Sequence, residues 1–273
     1  PLCGEDNAQP LWQKNDATYV RCSACSLVYE NPRLSEEELV EFYSKKSYFI
    51  KEEKDAGTSG YENYFTQCTT GLLEEYFDLV ERYANVRRGK LCDVGCGPGG
   101  LLKIARQRGW EATGVEISSW AVQEGRKAGL DIYEGSLLDA RFPADSFDAV
   151  SMFDVLEHLA TPREYVQEIH RILRPGGLLL IETPNVDGFF ARYVYRQNAD
   201  LVKPRAHICL YGPKSARLLL EPFGFSTVKI MTFPYCRRFT PGYLKSVLVS
   251  RLFRGRKPVQ LTFNDSLRIV CWK

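Results

Sequence analysis

Leu91-Cys92-Asp93-Val94-Gly95-Cys96-Gly97-Pro98-Gly99-Gly100 is the stretch that decides how the rest of the chain is read. The run from Lys90 to Val94 reads as a short buried strand that stops at glycine. Leu101, Leu102, Ile104 and Ala105 follow at helical spacing. The glycines therefore occupy a strand-to-helix turn, where a missing Cβ lets the backbone bend sharply and lets a ligand come close. The helix N-terminus adds unpaired N–H groups and a partial positive charge.

Two spacings fit this turn. Gly95, Gly97 and Gly100 satisfy G-x-G-x-x-G, the pattern of dinucleotide-binding enzymes such as nicotinamide oxidoreductases. Asp93, Gly95, Gly97 and Gly99 satisfy D-x-G-x-G-x-G. Asp93 favours the second, because a carboxylate at the strand end repels a pyrophosphate and suits a cation. Glu116 closes the next strand, where an acid accepts both hydroxyls of a ribose in either class.

Outward from the turn the pattern alternates. Strands are expected over 111–117, 130–135, Phe147 to Phe153 and Gly177 to Thr183, with two more over 226–233 and 267–272. Helices are expected from a cap at Ser118 or Ser119 to Ala128, from Pro162 to Leu173 and from Lys214 to Leu220. Tyr61 to Tyr83 reads as a long amphipathic helix ahead of the first strand. Before it, Ser35-Glu36-Glu37-Glu38 is a capping box for a short helix through Tyr43, and 44–60 reads as a linker. Such alternation predicts an α/β fold, a parallel sheet doubly wound by helices.

Further motifs follow in order: Phe153-Asp154-Val155-Leu156-Glu157-His158-Leu159, Leu173-Arg174-Pro175-Gly176-Gly177 and Glu182-Thr183-Pro184-Asn185. Together with the glycine stretch they resemble the small-molecule class I S-adenosylmethionine (SAM)-dependent methyltransferases over roughly 61–233. The resemblance implies a seven-stranded Rossmann-like sheet whose last strand is antiparallel, and SAM as cofactor. It implies a cofactor wall of Tyr64, Asp93, Gly95, Cys96, Gly97, Gly99, Glu116, Ile117, Ser136, Leu137, Phe153 and His158. In that family an acidic residue commonly stands where Ser136 does. Asp154, Glu157 and His158 also resemble an acid-x-x-Glu-His pattern of ubiquinone-biosynthesis O-methyltransferases, which can hold a divalent metal.

SAM carries an electrophilic methyl, so the protein must align a nucleophile and, for a hydroxyl acceptor, remove its proton. Histidine suits that task near neutral pH, and the chain has three. His170 lies mid-helix beside Ile169 and Ile172 and reads as structural. His158 follows the fourth strand, while His207 lies on a loop expected to reach over the site. His207 is the preferred base, with His158 and Asn185 beside it.

The first segment, 1–33, is expected to be a small zinc-ribbon-like module, followed by 34–60 and the methyltransferase domain 61–273. Cys22-x-x-Cys25 forms one thiolate knuckle, and Cys3 belongs to a second whose first cysteine is expected just before residue 1. Cys3, Cys22 and Cys25 would thus hold a structural zinc. Similar modules accompany bacterial methyltransferases that include enzymes acting on sugars. A hydroxyl of a sugar or glycan precursor is accordingly the expected acceptor, and a SAM-fold binding module without catalysis is the other alternative. Nine scattered cysteines point to a reducing, cytoplasmic setting rather than a disulfide scaffold. A net charge of +2 gives no field for nucleic acid. Residues 243–257 are apolar and basic and could meet a membrane surface.

Overall fold

The computed structural model describes residues 2–33, 38, 70–199, 201–235 and 264–273. Apart from Glu38, the expected capping-box helix, the linker, Tyr61, Tyr64 and the basic segment 243–257 lie outside the described residues. Three short strands open the chain: β1 (Ala8–Lys14), β2 (Ala17–Cys22) and β3 (Val28–Glu30). After α1 (Thr70–Tyr83) come β4 (Lys90–Val94), α2 (Gly100–Gln107), β5 (Glu111–Glu116), α3 (Ser119–Lys127), β6 (Asp131–Glu134) and α4 (Leu137–Ala140). Then follow β7 (Phe147–Phe153), α5 (Pro162–Ile172), β8 (Leu173–Pro184), β9 (Cys209–Leu210), α6 (Pro213–Leu220), β10 (Thr227–Tyr235) and β11 (Asn264–Trp272).

The main sheet has seven strands in the order β10-β11-β8-β7-β4-β5-β6. Strands β4 to β8 run parallel. β11 runs antiparallel between β8 and β10. This is the doubly wound sheet expected from the alternation, with the antiparallel last strand implied by the resemblance. One difference is local: β8 starts at Leu173, so Arg174-Pro175-Gly176-Gly177 lies inside an irregular strand start and not in a turn before it.

The two-residue period of the strands divides the interior in two. Leu91, Ala149, Leu178, Leu180 and Val270 face one side, packed by Tyr76, Phe77 and Val80 of α1, Leu101 and Leu102 of α2 and Val122 of α3. Their neighbours Cys92, Val150, Leu179, Ile181 and Ile269 face the other, under Val166 and Ile169 of α5 and Leu219 of α6. A one-residue slip would exchange these faces, so burial on both sides fixes the register.

The N-terminal strands do not stand apart. They form an antiparallel sheet β1-β2-β3-β9, and β9 comes from the segment after β8. Val28 pairs with Leu210 and Tyr29 with Cys209. Trp12, Tyr19 and Val28 are buried against Val186, Ala199, Leu201, Val202 and Leu210. A segment this short gains its apolar burial from the larger sheet as well as from itself.

Adjacent residues of α6 give a direct check on the packing. Leu219 is fully buried and Leu218 is exposed. Leu219→Ala should cost about 2–5 kcal/mol of stability, and Leu218→Ala within about 0.5 kcal/mol of nothing. Chemical denaturation of the two variants measures both; equal effects would refute the packing.

Candidate active site

The glycine turn lies at the carboxyl end of β4, in the middle of the parallel strands, where open α/β sheets bind ligands. Gly95 has φ 70, and a Cβ there would stand 2.4 Å from Cγ2 of Val155. Gly99 caps α2 in the left-handed region, φ 86, and a Cβ there would stand 2.5 Å from Cδ1 of Leu130. Neither position admits a side chain without displacing a packed neighbour. The turn is braced from β5: the Gly97 and Ser118 N–H groups donate to the two Glu116 carboxylate oxygens, at 2.9 and 2.8 Å.

Two acids thus flank the turn from inside the protein. Asp93 is buried and accepts one hydrogen bond from the Ser151 hydroxyl at 2.7 Å. Burial pushes its carboxyl up to about 7, the Ser151 hydrogen bond opposes this, and the Glu116 charge adds to it. Burial also raises Glu116, against the backbone N–H groups that hold it. Two carboxylates so placed create a negative potential at the mouth of the turn, which suits a cation. Each Glu116 oxygen keeps a second lone pair for a ribose hydroxyl.

The rest of the expected cofactor wall separates by exposure. Ile117, at the end of β5, is 40% exposed. That is an open apolar face beside the turn. Phe153 stacks on Tyr76 of α1 with ring centroids 4.1 Å apart. Ser136 caps α4, accepting from the Asp139 N–H. Leu137 is fully buried in the core. Cys96 is also buried, and its thiol donates to the Gly97 carbonyl at 3.3 Å. Tyr64 lies outside the described residues.

Beside Phe153 sits a cluster not expected from the sequence. Glu182 of β8 accepts from the Tyr76 hydroxyl at 2.9 Å and from the Arg268 guanidinium of β11, which also meets Glu75 at 2.6 Å. It ties α1 to β8 and β11. Nothing in local spacing announces it, because its four members come from three distant segments. The nearest signal was Glu182 standing as an acid in an otherwise apolar strand.

His158 and His207 meet, with ring centroids 4.8 Å apart and planes at 81°. Their Nδ1 atoms donate to the carbonyls of Ala206 at 2.7 Å and Leu201 at 2.8 Å. A carbonyl only accepts, so each neutral ring carries its proton on Nδ1 and its lone pair on Nε2. Glu157 is buried next to them, accepting from the Thr183 hydroxyl at 2.8 Å. Burial, then the Asp154 charge, pushes its carboxyl up to about 8. The ligand atoms of Glu157, His158 and His207 all lie within 4.8 Å of one another. This cluster takes His207 where the sequence pattern suggested Asp154. One carboxylate and two imidazoles are a donor set suited to a divalent transition metal.

The expectation of a loop closing over the site changes here. His207 is buried and fixed: its N–H donates to the Lys203 carbonyl at 2.8 Å, and its carbonyl accepts from the Tyr19 hydroxyl at 3.2 Å. Pairing of β9 with β3 holds the segment in place. Asn185, at the end of β8, is buried too, and its side-chain oxygen accepts from the Asp187 N–H at 3.0 Å. Asn185 therefore shapes the strand end. His170 packs edge-on against Phe225, as its helical position suggested.

At the other end of the N-terminal sheet, the ligand atoms of Cys3, Cys22 and Cys25 lie within 4.8 Å of one another, with the Cys3 and Cys22 sulfurs 3.5 Å apart. Burial raises Cys22, but hydrogen bonds from the Cys25 and Ala24 N–H groups and the neighbouring thiols lower it to about 7. A thiol poised near neutrality is ready to become a thiolate, the form that ligates metal.

A seven-stranded doubly wound sheet, a glycine turn after its first strand in sequence and an acid ending the next one define a class I SAM-dependent methyltransferase fold. A family model described as "Methyltransferase domain" matches residues 69–230. The chain belongs to that family. It is 32% identical over 188 residues to a malonyl-[acyl-carrier protein] O-methyltransferase of Enterobacter lignolyticus, covering 67% of this chain and 74% of the relative. It is 29% identical over 117 residues to a ubiquinone biosynthesis O-methyltransferase of Chromobacterium violaceum, covering 40% of this chain and 50% of the relative. The chain thus spans about half the length of that ubiquinone relative. A SAM-dependent methyltransferase of Archaeoglobus fulgidus shares the fold at TM-score 0.58 and 20% identity, over 83% of this chain and 99% of that one. The nicotinamide reading of the glycine turn gives way to these findings.

Asp93, expected at the cofactor, would give cofactor binding a pH dependence. A cation binds the carboxylate form, so below about pH 7 binding must expel a proton. SAM affinity should fall by up to about tenfold per unit below that point and level off above it. In the free protein the sign is reversed: a raised folded value favours the protonated carboxyl, and stability is lost as pH rises through about 7. Calorimetry from pH 6 to pH 8 should show this slope, and Asp93→Asn should flatten it. An equal slope in the variant would assign the proton elsewhere.

Proposed function

We propose that the chain transfers a methyl group from SAM to a hydroxyl of a small-molecule acceptor, a sugar or glycan precursor, with the His158–His207 pair receiving the hydroxyl proton. The observation that carries the reading is the approach of these two imidazoles at the carboxyl end of the parallel strands, each with Nδ1 on a carbonyl. Two relatives bear the names of O-methyltransferases, which supports an oxygen acceptor. The sugar rests on the likeness of the N-terminal module.

Asp93 and Glu116 would hold SAM, the first toward its cationic amino-acid end and the second at the ribose, with Ile117 against the adenine. Bound SAM supplies the electrophilic methyl. The protein's part is to align the acceptor oxygen, exclude water and take the proton. The His158 side chain keeps 18% exposure. Its Nε2 accepts the proton, and the Ala206 carbonyl steadies the resulting imidazolium at Nδ1. His207 is held edge-on behind it, and the Glu157 carboxyl 4.0 Å away favours the charged ring whenever it is ionised.

Cys3, Cys22 and Cys25 would ligate one structural zinc, a fourth ligand completing a tetrahedral set. The division into 1–33, 34–60 and 61–273 goes with that role, and a reducing cytoplasmic compartment would keep the thiols available. Among the described residues no helix is long and apolar enough to cross a membrane.

Methyl transfer from labelled SAM to a panel of sugars and glycan precursors tests the acceptor. His158→Ala and His207→Ala should each lower turnover about 10²–10⁴-fold with the affinity for S-adenosylhomocysteine nearly intact. Full turnover in both variants would refute the base. For the zinc, elemental analysis of the purified protein should find about one ion per chain, lost in Cys22→Ser. A folded, metal-free protein would refute it.

A further inference from the structure

Between the N-terminal sheet and the segment after β8 lies a cavity of about 460 Å³ lined by Leu11, Trp12, Arg21, Arg192, Tyr193 and Arg196. The volume is within the range of small-ligand sites. Three of its six lining side chains are guanidiniums, and none is acidic. Among the described residues, Arg21 alone of the three has a carboxylate partner, Asp187 at 2.8 Å. Arg192 lies over the ring of Tyr193, 5.5 Å from its centroid. Tyr193 and nearby Phe189 are 65% and 63% exposed, the two most exposed large hydrophobic residues described. Arg196 holds φ 51, a left-handed conformation uncommon for a non-glycine residue. Residues Phe190–Tyr195 form a π-helical turn, an irregularity that appears frequently at functional sites.

The place of this groove in the fold matters as much as its charge. The segment that bears Arg192 and Arg196 leaves directly from the carboxyl end of β8, the acceptor side of the sheet. Asn185 holds the Asp187 N–H, and Asp187 holds Arg21, so a short polar chain ties the groove to the strand end. Like-charged guanidiniums gathered at one concavity repel each other, and an anion there relieves the repulsion. Three planar forks match the several oxygens of a phosphate or diphosphate better than they match one carboxylate. The apolar wall of Trp12 and Leu11 and the open ring of Tyr193 suit an organic group attached to it.

We infer that this groove binds the phosphate or diphosphate group of a soluble phosphorylated acceptor, anchoring it so that its hydroxyl end lies toward His158. The inference rests on the proposed methyl transfer to a hydroxyl and deepens it by naming an anionic handle on the substrate. Arg192 and Arg196 are binding residues in this account, with no part in the chemical step. It also explains a use for the N-terminal module beyond metal: without β1 and β2 the groove has one wall.

Calorimetry on the full chain saturated with S-adenosylhomocysteine tests the groove without any turnover. The probes are inorganic pyrophosphate and uridine diphosphate, at low ionic strength. The wild-type protein should bind both, and the double variant Arg192→Gln/Arg196→Gln should bind them at least about tenfold more weakly. Tyr193→Ala should weaken uridine diphosphate more than pyrophosphate. Thermal stability and the affinity for S-adenosylhomocysteine should be unchanged in all variants, since these side chains are exposed; loss of that affinity would instead point to the cofactor cradle. Absence of pyrophosphate binding in the wild type, or equal binding in the double variant, would overturn the inference. So would binding to phosphatidylglycerol vesicles without binding to either soluble probe, which would make the patch a lipid-headgroup contact.

Discussion

Burial of two carboxylates beside one glycine turn is the constraint on which the rest of the site depends. Asp93 and Glu116 sit at the ends of adjacent parallel strands, and water is excluded from both. Glu116 is partly compensated by the Gly97 and Ser118 N–H groups, and Asp93 by the Ser151 hydroxyl. The compensation is incomplete, since burial still moves both acids toward their neutral forms. A cationic ligand there would complete it. The same brace explains the glycines: with Gly97 tied to β5, and Val155 and Leu130 packed against Gly95 and Gly99, the turn has no room for Cβ atoms.

The sheet in turn depends on the period of its strands. Leu178-Leu179-Leu180-Ile181 is apolar at every position because both faces are covered, alternately by α1 with α2 and by α5 with α6. That run, and the glycines before α2, made the parallel fold legible in the sequence. The core of the fold was legible because it is built from local periodicity. The start of β8 was not, because Leu173 pairs with Phe147 across a register slip that only the neighbouring strand reveals.

The candidate site was legible to a different degree at each position. Asp93 and Glu116 stand next to the strand ends that identify them. Leu137 and Cys96, expected at the cofactor, have buried side chains, a feature of side-chain direction that spacing does not carry. His207 was expected on a closing loop. It is held instead by Tyr19 and by pairing of β9 with β3, contacts between residues some 180 positions apart. Long-range contacts of this kind also assemble the Glu182–Arg268–Tyr76 cluster and the arginine groove, neither of which has a sequence signature. The N-terminal segment shows the consequence: read alone it is a thin ribbon, but in the fold it supplies one wall of the region where His158 and His207 meet.

A crystal structure of the complex with S-adenosylhomocysteine would test the central claim most directly. The account predicts density above the glycine turn, with ribose hydroxyls on Glu116, the adenine against Ile117 and the amino-acid end toward Asp93. Ligand density elsewhere, or a ribose that leaves Glu116 bound only to the Gly97 and Ser118 N–H groups, would contradict it.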